Sequence, residues 1–192
     1  NCGLYCGARV DFVDIDPKSY NLCTTSLRQK LEHAEKDGRL PKVVIPVHFA
    51  GQSCDMKEIH SLAKRYGFKV IEDGSHSLGG TYLGENIGNC RYSDITVLSF
   101  HPVKIITTGE GGAALTNDSR LAATMAKLRS HGITRVPDEM VKGVSTEKWF
   151  YEQNSLGFNF RMTEISAALG ISQLKRLGEF INKRKVIAKN YN

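Results

Sequence analysis

The segment Ser99-Phe100-His101-Pro102-Val103-Lys104-Ile105-Ile106-Thr107-Thr108-Gly109-Glu110-Gly111-Gly112 follows a short apolar run, Ile95-Thr96-Val97-Leu98. That run reads as a buried strand. Upstream, Lys69-Val70-Ile71 leads in the same way into Glu72-Asp73-Gly74-Ser75-His76. One strand thus ends by delivering an acid and the other by delivering an amine. In open α/β sheets the ligand lies beyond the carboxyl ends of the strands. A lysine amine forms a Schiff base with an aldehyde cofactor, and a carboxylate keeps a pyridinium nitrogen protonated. Lys104 paired with Asp73 therefore points to pyridoxal 5'-phosphate (PLP). Taken singly, neither residue carries that reading. A lone lysine near a strand end is far more often a solvated charge, and a Glu-Asp pair after a strand is usually a cap or loop carboxylate.

The surrounding words are more specific. Val47-His48-Phe49-Ala50-Gly51-Gln52-Ser53-Cys54-Asp55-Met56, Glu72-Asp73-Gly74-Ser75-His76-Ser77-Leu78-Gly79-Gly80, the Ser99 to Gly112 run and Leu156-Gly157-Phe158-Asn159-Phe160-Arg161-Met162-Thr163-Glu164-Ile165 follow one another along the chain. In wording, order and spacing they resemble the DegT/StrS-like family of sugar-nucleotide aminotransferases, over nearly the whole chain. The resemblance implies an α/β fold, the large domain of PLP fold type I (aspartate aminotransferase-like). Its mainly parallel sheet would be flanked by helices and incomplete at both ends. Family members are longer, so the chain reads as a central fragment. Residues 1–160 would come from the PLP-binding large domain, and 161–192 would be a long helix leading towards the small C-terminal domain. The run from Phe100 to Gly112 is most similar to the enzyme that aminates a UDP-linked 4-keto-6-deoxy sugar on the pathway to pseudaminic acid.

The resemblance also implies roles. Lys104 would hold the cofactor as an internal aldimine and then move protons as the freed amine. Asp73 would hydrogen-bond the pyridine nitrogen, His76 would lie near the ring's phenolic oxygen, and Ser99 would bind the cofactor phosphate. Asn159 would reach the phosphate in a partner subunit, making the protein a homodimer with shared sites. Arg161 would serve the same phosphate or a substrate anion. His48 and His101 are candidate substrate-pocket residues, although a packed histidine is the commoner case for each. The expected reaction transfers an amino group, with glutamate as donor, to a nucleotide-linked keto sugar. Three alternatives are a sugar dehydratase-type relative, a non-catalytic domain that kept the fold, and a metal hydrolase using Asp73, His76, His48 and Cys54. Some dehydratase-type relatives replace the lysine with histidine, whereas Lys104 is retained here. The metal reading lacks a recognised ligand spacing. Gly109-Glu110-Gly111-Gly112 is not followed by Gly-Lys-Ser/Thr, which excludes a nucleoside-triphosphate P-loop.

The 192 residues, 41% hydrophobic and 24% charged, are ordinary for a soluble globular chain. Nothing resembles a signal peptide or an apolar span of membrane length, and the start at Asn1 reads as a chain entered midway. Five cysteines without Cys-x-x-Cys spacing fit reduced thiols in the cytoplasm. The net charge of +6 comes largely from Lys175, Arg176, Lys183, Arg184, Lys185 and Lys189 near the C-terminus. They face away from an apolar stripe of Ile165, Ala168, Ile171, Leu174, Leu177 and Ile181, and a basic face opposite a buried stripe is usually just solvated. No nucleic-acid module or membrane element is expected.

Hydrophobic periodicity predicts strands over 9–14, 43–47, 69–73, 95–98 and 113–116, and a hairpin around Tyr82 to Asn86. Helices are expected from Thr25 or Ser26 to about Lys36, from Asp55 to Tyr66, from Asp118 to about Ser130 with Leu121, Met125 and Leu128 inward, and onward from Thr163. Residues 132–155 show no clear period and read as a surface loop.

Overall fold

The computed structural model describes residues 1–141, 147 and 149–191. The chain divides into two compact units, Asn1–Leu98 and Ser99–Asn192. The expected boundary at 160/161 falls inside the second unit.

The first unit opens with one helical turn, α1 (Cys2–Tyr5). The strand expected over 9–14 does not form. Instead the carboxylates of Asp11, Asp14 and Asp16 accept nearby backbone N–H groups, those of Phe12, Ile15 and both Lys18 and Ser19. Short acidic side chains that satisfy their own backbone compete with a sheet ladder. Only an isolated antiparallel bridge, Ile15 to Leu22, remains. Helix α2 (Thr24–Lys36) buries Leu27 and Leu31, four residues apart on one face.

Strand β1 is limited to Val43–Val44, because Pro46 has no N–H to donate. The line resumes as a single bridge between Val47 and Asp73. Helix α3 (Met56–Tyr66) begins at Asp55, whose carboxylate accepts the Glu58 N–H, and ends at Gly67 in the left-handed region (φ 78°). It buries Met56, Ile59, Leu62, Ala63 and Tyr66.

Strand β2 (Lys69–Asp73) runs parallel to β1, Val44 opposite Val70. A small hairpin follows, β3 (Thr81–Tyr82) with β4 (Glu85–Asn86). Strand β5 (Ile95–Ser99) then pairs parallel with β2, Asp73 opposite Val97. Val70 and Glu72 on β2, and Thr96 and Leu98 on β5, are buried. Leu27, Leu31, Ile59, Leu62, Phe68 and Val70 belong to one apolar core. Outward residues on the same line, Val43, Ile45 and Val47, stay 43% exposed.

The second unit carries β6 (Gly112–Leu115) and α4 (Ser119–Arg129), whose N-terminal Arg120 and Leu121 N–H groups are accepted by Asp118. Within 132–155 the expected loop contains a short antiparallel pair, β7 (Ile133–Thr134) with β8 (Glu152–Gln153). Two dipeptides are too short to show a period. The part of that loop at 142–146 and 148 lies outside the described residues.

The single long C-terminal helix is two helices, α5 (Glu164–Lys175) and α6 (Leu177–Tyr191). The break is at Arg176, whose N–H bonds back to the Gln173 carbonyl at 3.0 Å and whose guanidinium pairs with Glu179. The apolar stripe is not buried: Ile165, Ile171 and Leu174 are 85%, 60% and 54% exposed. On α4, Leu121 and Met125 are half-buried and Leu128 is exposed. Periodicity creates an apolar face, but burial needs a surface to receive it. Among the described residues no helix is long and apolar enough to cross a membrane.

Candidate active site

Asp73 ends β2, so the alternation that turns Glu72 into the core turns its neighbour outward. The Asp73 amide donates to the Pro46 carbonyl at 2.9 Å, and its carbonyl accepts the His48 N–H at 3.0 Å. Its carboxylate Oδ1 accepts the Ser75 N–H at 3.1 Å. Oδ2 takes no hydrogen bond from a described residue. The turn is tight: a Cβ added at Gly74 would meet Val97 O at 3.1 Å and Ser77 Oγ at 3.0 Å. Ser77 is buried, its hydroxyl donating to Gly74 O at 3.1 Å, whereas His76 is exposed. Asp73 and His76 thus share one rigid turn, with a carboxylate oxygen and an imidazole open to a ligand.

Ser99 and Lys104 belong to the second unit, on a closed loop. The Phe100 N–H donates to Gly111 O at 2.8 Å, and the Phe100 carbonyl accepts from Thr108 N at 3.0 Å and Thr107 Oγ1 at 3.0 Å. Buried Ile106 and Thr108 face inward, and Thr108 Oγ1 donates to Glu110 O at 2.7 Å. Lys104 lies between the two sides of this clasp, its N–H bonded to His101 O at 2.9 Å. The residue is half-buried, and its side-chain amine makes no hydrogen bond or ion pair with a described residue. The Ser99 hydroxyl accepts the His101 N–H at 3.4 Å. His101 is exposed, accepts the Val103 N–H through Nδ1 at 3.3 Å, and holds Nε2 3.9 Å from the Glu110 carboxylate.

Asn159 sits on an extended segment fastened to the end of α4. His131 N donates to Phe158 O at 2.8 Å, Phe160 N donates to Arg129 O at 2.9 Å, and Ser130 bridges Asn159. The rings of Phe158 and Phe160 stack at 4.7 Å between centroids. Asn159 and Arg161 remain exposed.

His48 is placed elsewhere. It is fully buried, and both ring nitrogens are occupied. Nδ1 accepts the Cys54 N–H at 3.2 Å, so Nε2 carries the proton and donates to Glu72 Oε2 at 2.8 Å. The expectation that His48 lines a substrate pocket is therefore corrected: the ring has no open surface and no free nitrogen. Burial raises the pKa of Glu72, but the hydrogen bonds it accepts from His48, Ser93 and Thr96 outweigh it and leave the group below the ordinary value. The Glu72 carboxylate is thus held as an anion in the core. The sequence reading treated Glu72 only as the neighbour of Asp73. The signal was present in the strand's period of two, which forces one acid of the pair inward, where it needs donors.

Cys54 is also buried, and burial pushes its thiol up to about 11. Among the described residues no three His, Cys, Asp or Glu side chains are grouped to hold a metal ion.

Comparison with known proteins places this geometry. The profile of the DegT/DnrJ/EryC1/StrS aminotransferase family matches residues 1–192. The chain belongs to that family. It is 38% identical over 192 residues to the UDP-4-amino-4,6-dideoxy-N-acetyl-beta-L-altrosamine transaminase of Campylobacter jejuni, covering 100% of this chain and 47% of the relative. It is 39% identical over 185 residues to the GDP-perosamine synthase of Caulobacter vibrioides, covering 96% and 44% respectively. Among solved structures, Helicobacter pylori PseC, an aminotransferase of pseudaminic acid biosynthesis, superposes with a TM-score of 0.85 at 33% identity. That superposition covers 98% of this chain and 46% of the other. The chain thus spans about half the length of the relatives it matches, and its fold is that of PLP fold type I aminotransferases.

Members of the DegT family use pyridoxal phosphate, and the residues present fit that group. Among the described residues, Asp73 offers a carboxylate oxygen without a donor and Lys104 an amine without a partner. Ser99 offers a hydroxyl that accepts the His101 N–H and donates to no described residue.

Proposed function

We propose that the protein carrying this chain is a PLP-dependent aminotransferase. It moves an amino group from glutamate onto a UDP-linked 4-keto-6-deoxy-HexNAc sugar. The observation that supports this best is the Lys104 amine, unpaired among the described residues on its clasped loop, within a chain that matches the family from end to end. Similarity to relatives named for both UDP- and GDP-linked products supports the nucleotide-sugar class. The wording of the Lys104 loop and the likeness to PseC favour the UDP-linked sugar of the pseudaminic acid route.

Each residue then has a physical task. Lys104 Nζ would hold the cofactor through its aldehyde and, as a free amine, would carry the proton that moves during transfer. Asp73 Oδ2 would accept the pyridinium N–H and keep it protonated. His76 would lie beside the ring and His101 beside the sugar, while the Ser99 hydroxyl would donate to the phosphate. The bound cofactor supplies a carbonyl to carry nitrogen and a ring that spreads negative charge. Asn159 and Arg161, exposed on their extended segment, serve the site of a second copy, so the working form is a homodimer. Residues 1–160 contribute to the cofactor-binding domain, and 161–192 lead towards the small C-terminal domain. The five free cysteines support a reducing, cytoplasmic setting.

Borohydride reduction of the full-length protein with PLP, followed by peptide mass spectrometry, tests the reading. A phosphopyridoxyl group is expected on Lys104 and is absent in Lys104→Ala. Modification elsewhere, or none in a folded dimer, overturns the proposal. Turnover of glutamate with UDP-linked against GDP-linked 4-keto sugars then decides the substrate.

A further inference from the structure

We propose that Glu72 and His48, buried in the core behind Asp73, are a positioning pair for Asp73. The inference rests on the reading of Asp73 as the acceptor for the cofactor's ring nitrogen. Three observations in the first unit carry it.

Glu72 ties together three stretches that are distant in sequence. Its Oε2 accepts the proton of His48 Nε2 at 2.8 Å, and its Oε1 accepts from Thr96 Oγ1 at 3.0 Å and from Ser93 Oγ. Those donors lie after β1 and at the start of β5, the two neighbours of the strand that carries Asp73.

His48 continues the chain of contacts in two directions. Its own N–H donates to Asp73 O at 3.0 Å, and its Nδ1 accepts the Cys54 N–H at 3.2 Å. The ring therefore closes the loop 48–54 on itself while its backbone grips Asp73.

That loop then bears on the Asp73 turn. A Cβ placed on Gly51 would stand 2.8 Å from the His76 carbonyl oxygen, so the two backbones touch with no room for a side chain. The aim of Asp73 Oδ2 is set by this turn, because Oδ1 is already fixed to Ser75 N–H. Burying a carboxylate costs more than packing an apolar side chain of that volume; the hydrogen bonds of the network offset that cost and, in doing so, fix the backbone around Asp73. A misplacement of about 1 Å at a reacting group is enough to slow a reaction markedly.

The test uses the full-length protein with Glu72→Gln, which keeps the shape and removes the charge. A second variant, His48→Asn, keeps an acceptor for Cys54 N–H and loses the contact with Glu72. In the cofactor-free variants, hydrogen exchange is expected to speed up in 48–54 and 73–77 and to stay unchanged in α2. With PLP labelled by nitrogen-15, the ring-nitrogen signal at neutral pH shifts part of the way towards that of Asp73→Asn. Cofactor affinity falls about tenfold, as when outer partners of a liganding group are removed, and kcat falls while KM for the sugar holds. Folded variants with wild-type exchange and a wild-type nitrogen signal overturn the pair. So does loss of folding in both, which would make the network a scaffold only. If wild-type protein traps no cofactor on Lys104, the aminotransferase reading fails, and the cofactor role of the pair with it. Wild-type trapping with an unmoved nitrogen signal in the variants removes the pair alone.

Discussion

The two units handle their chemistry by different means. Among the described residues nearly every buried apolar side chain, from Leu27 to Leu98, lies in the first unit, and Ile106 alone lies in the second. The first unit holds Asp73 through a packed core and a buried polar network. The second holds Lys104 through backbone hydrogen bonds, Phe100 to Gly111 and Thr108 to Phe100, while α4, α5 and α6 bury no residue. A carboxylate that must point at one atom gains from a rigid strand end. In the proposed reaction, an amine that binds, lets go and moves a proton gains from a loop with room for its side chain.

This contrast can be broken or sharpened by mutation, beginning with chemistry. Lys104→Ala in the full-length protein should lower kcat about 10³-fold or more, as loss of a nucleophile that is also the proton carrier does. Steady-state turnover with the folded state checked by circular dichroism reads it. A modest loss would show that the loop does not carry the reacting amine.

Packing comes next. Ile59 is fully buried on α3, and Ile59→Ala should cost about 2–5 kcal/mol in urea unfolding. Gly51→Ala adds a Cβ against the His76 carbonyl at a residue with φ 90°, and about 1–3 kcal/mol is expected. Its loss should be accompanied by weaker cofactor binding, which Ile59→Ala need not share.

The third kind of effect is electrostatic. Because the pKa of Glu72 is lowered in the folded state, its contribution is complete above the ordinary glutamate pKa. It is lost as pH falls through the lower folded value. Urea midpoints measured from pH 6 down to 3 should therefore drop more steeply for the wild type than for Glu72→Gln. Equal slopes would mean that Glu72 is not held as an anion.

The smallest change belongs to the second unit. Ile171 is 60% exposed on α5, so Ile171→Ala in this chain should move stability by only about 0.5 kcal/mol or less. A cost like that of Ile59→Ala, read by the same urea titration, would reveal a surface covering the stripe in solution and erase the contrast.

Much of this was legible beforehand for physical reasons. Helix α3 carries its own start and stop, a capping Asp55 and a left-handed Gly67, so its bounds could be read to within a residue. Strands β2 and β5 and the Tyr82 hairpin carry local signals of the same kind. The 9–14 strand failed because three aspartates satisfy their own backbone. The long final helix failed because the apolar period runs on through its break at Arg176, and Gly178, two residues later, lies inside α6 rather than ending a helix.

The residue types themselves determined the chemistry on offer: an acid and an amine, each delivered where a strand stops, and the family words around them. Those are local properties, written in side-chain identity and in periods of two and 3.6. Tertiary structure decided what depends on neighbours distant in sequence. It turned His48 from a pocket histidine into a buried donor and Glu72 from a bystander into an anion with three partners. It also left the α5 stripe exposed. Burial and hydrogen-bond satisfaction are properties of pairs, and a single sequence names the members without stating which ones meet.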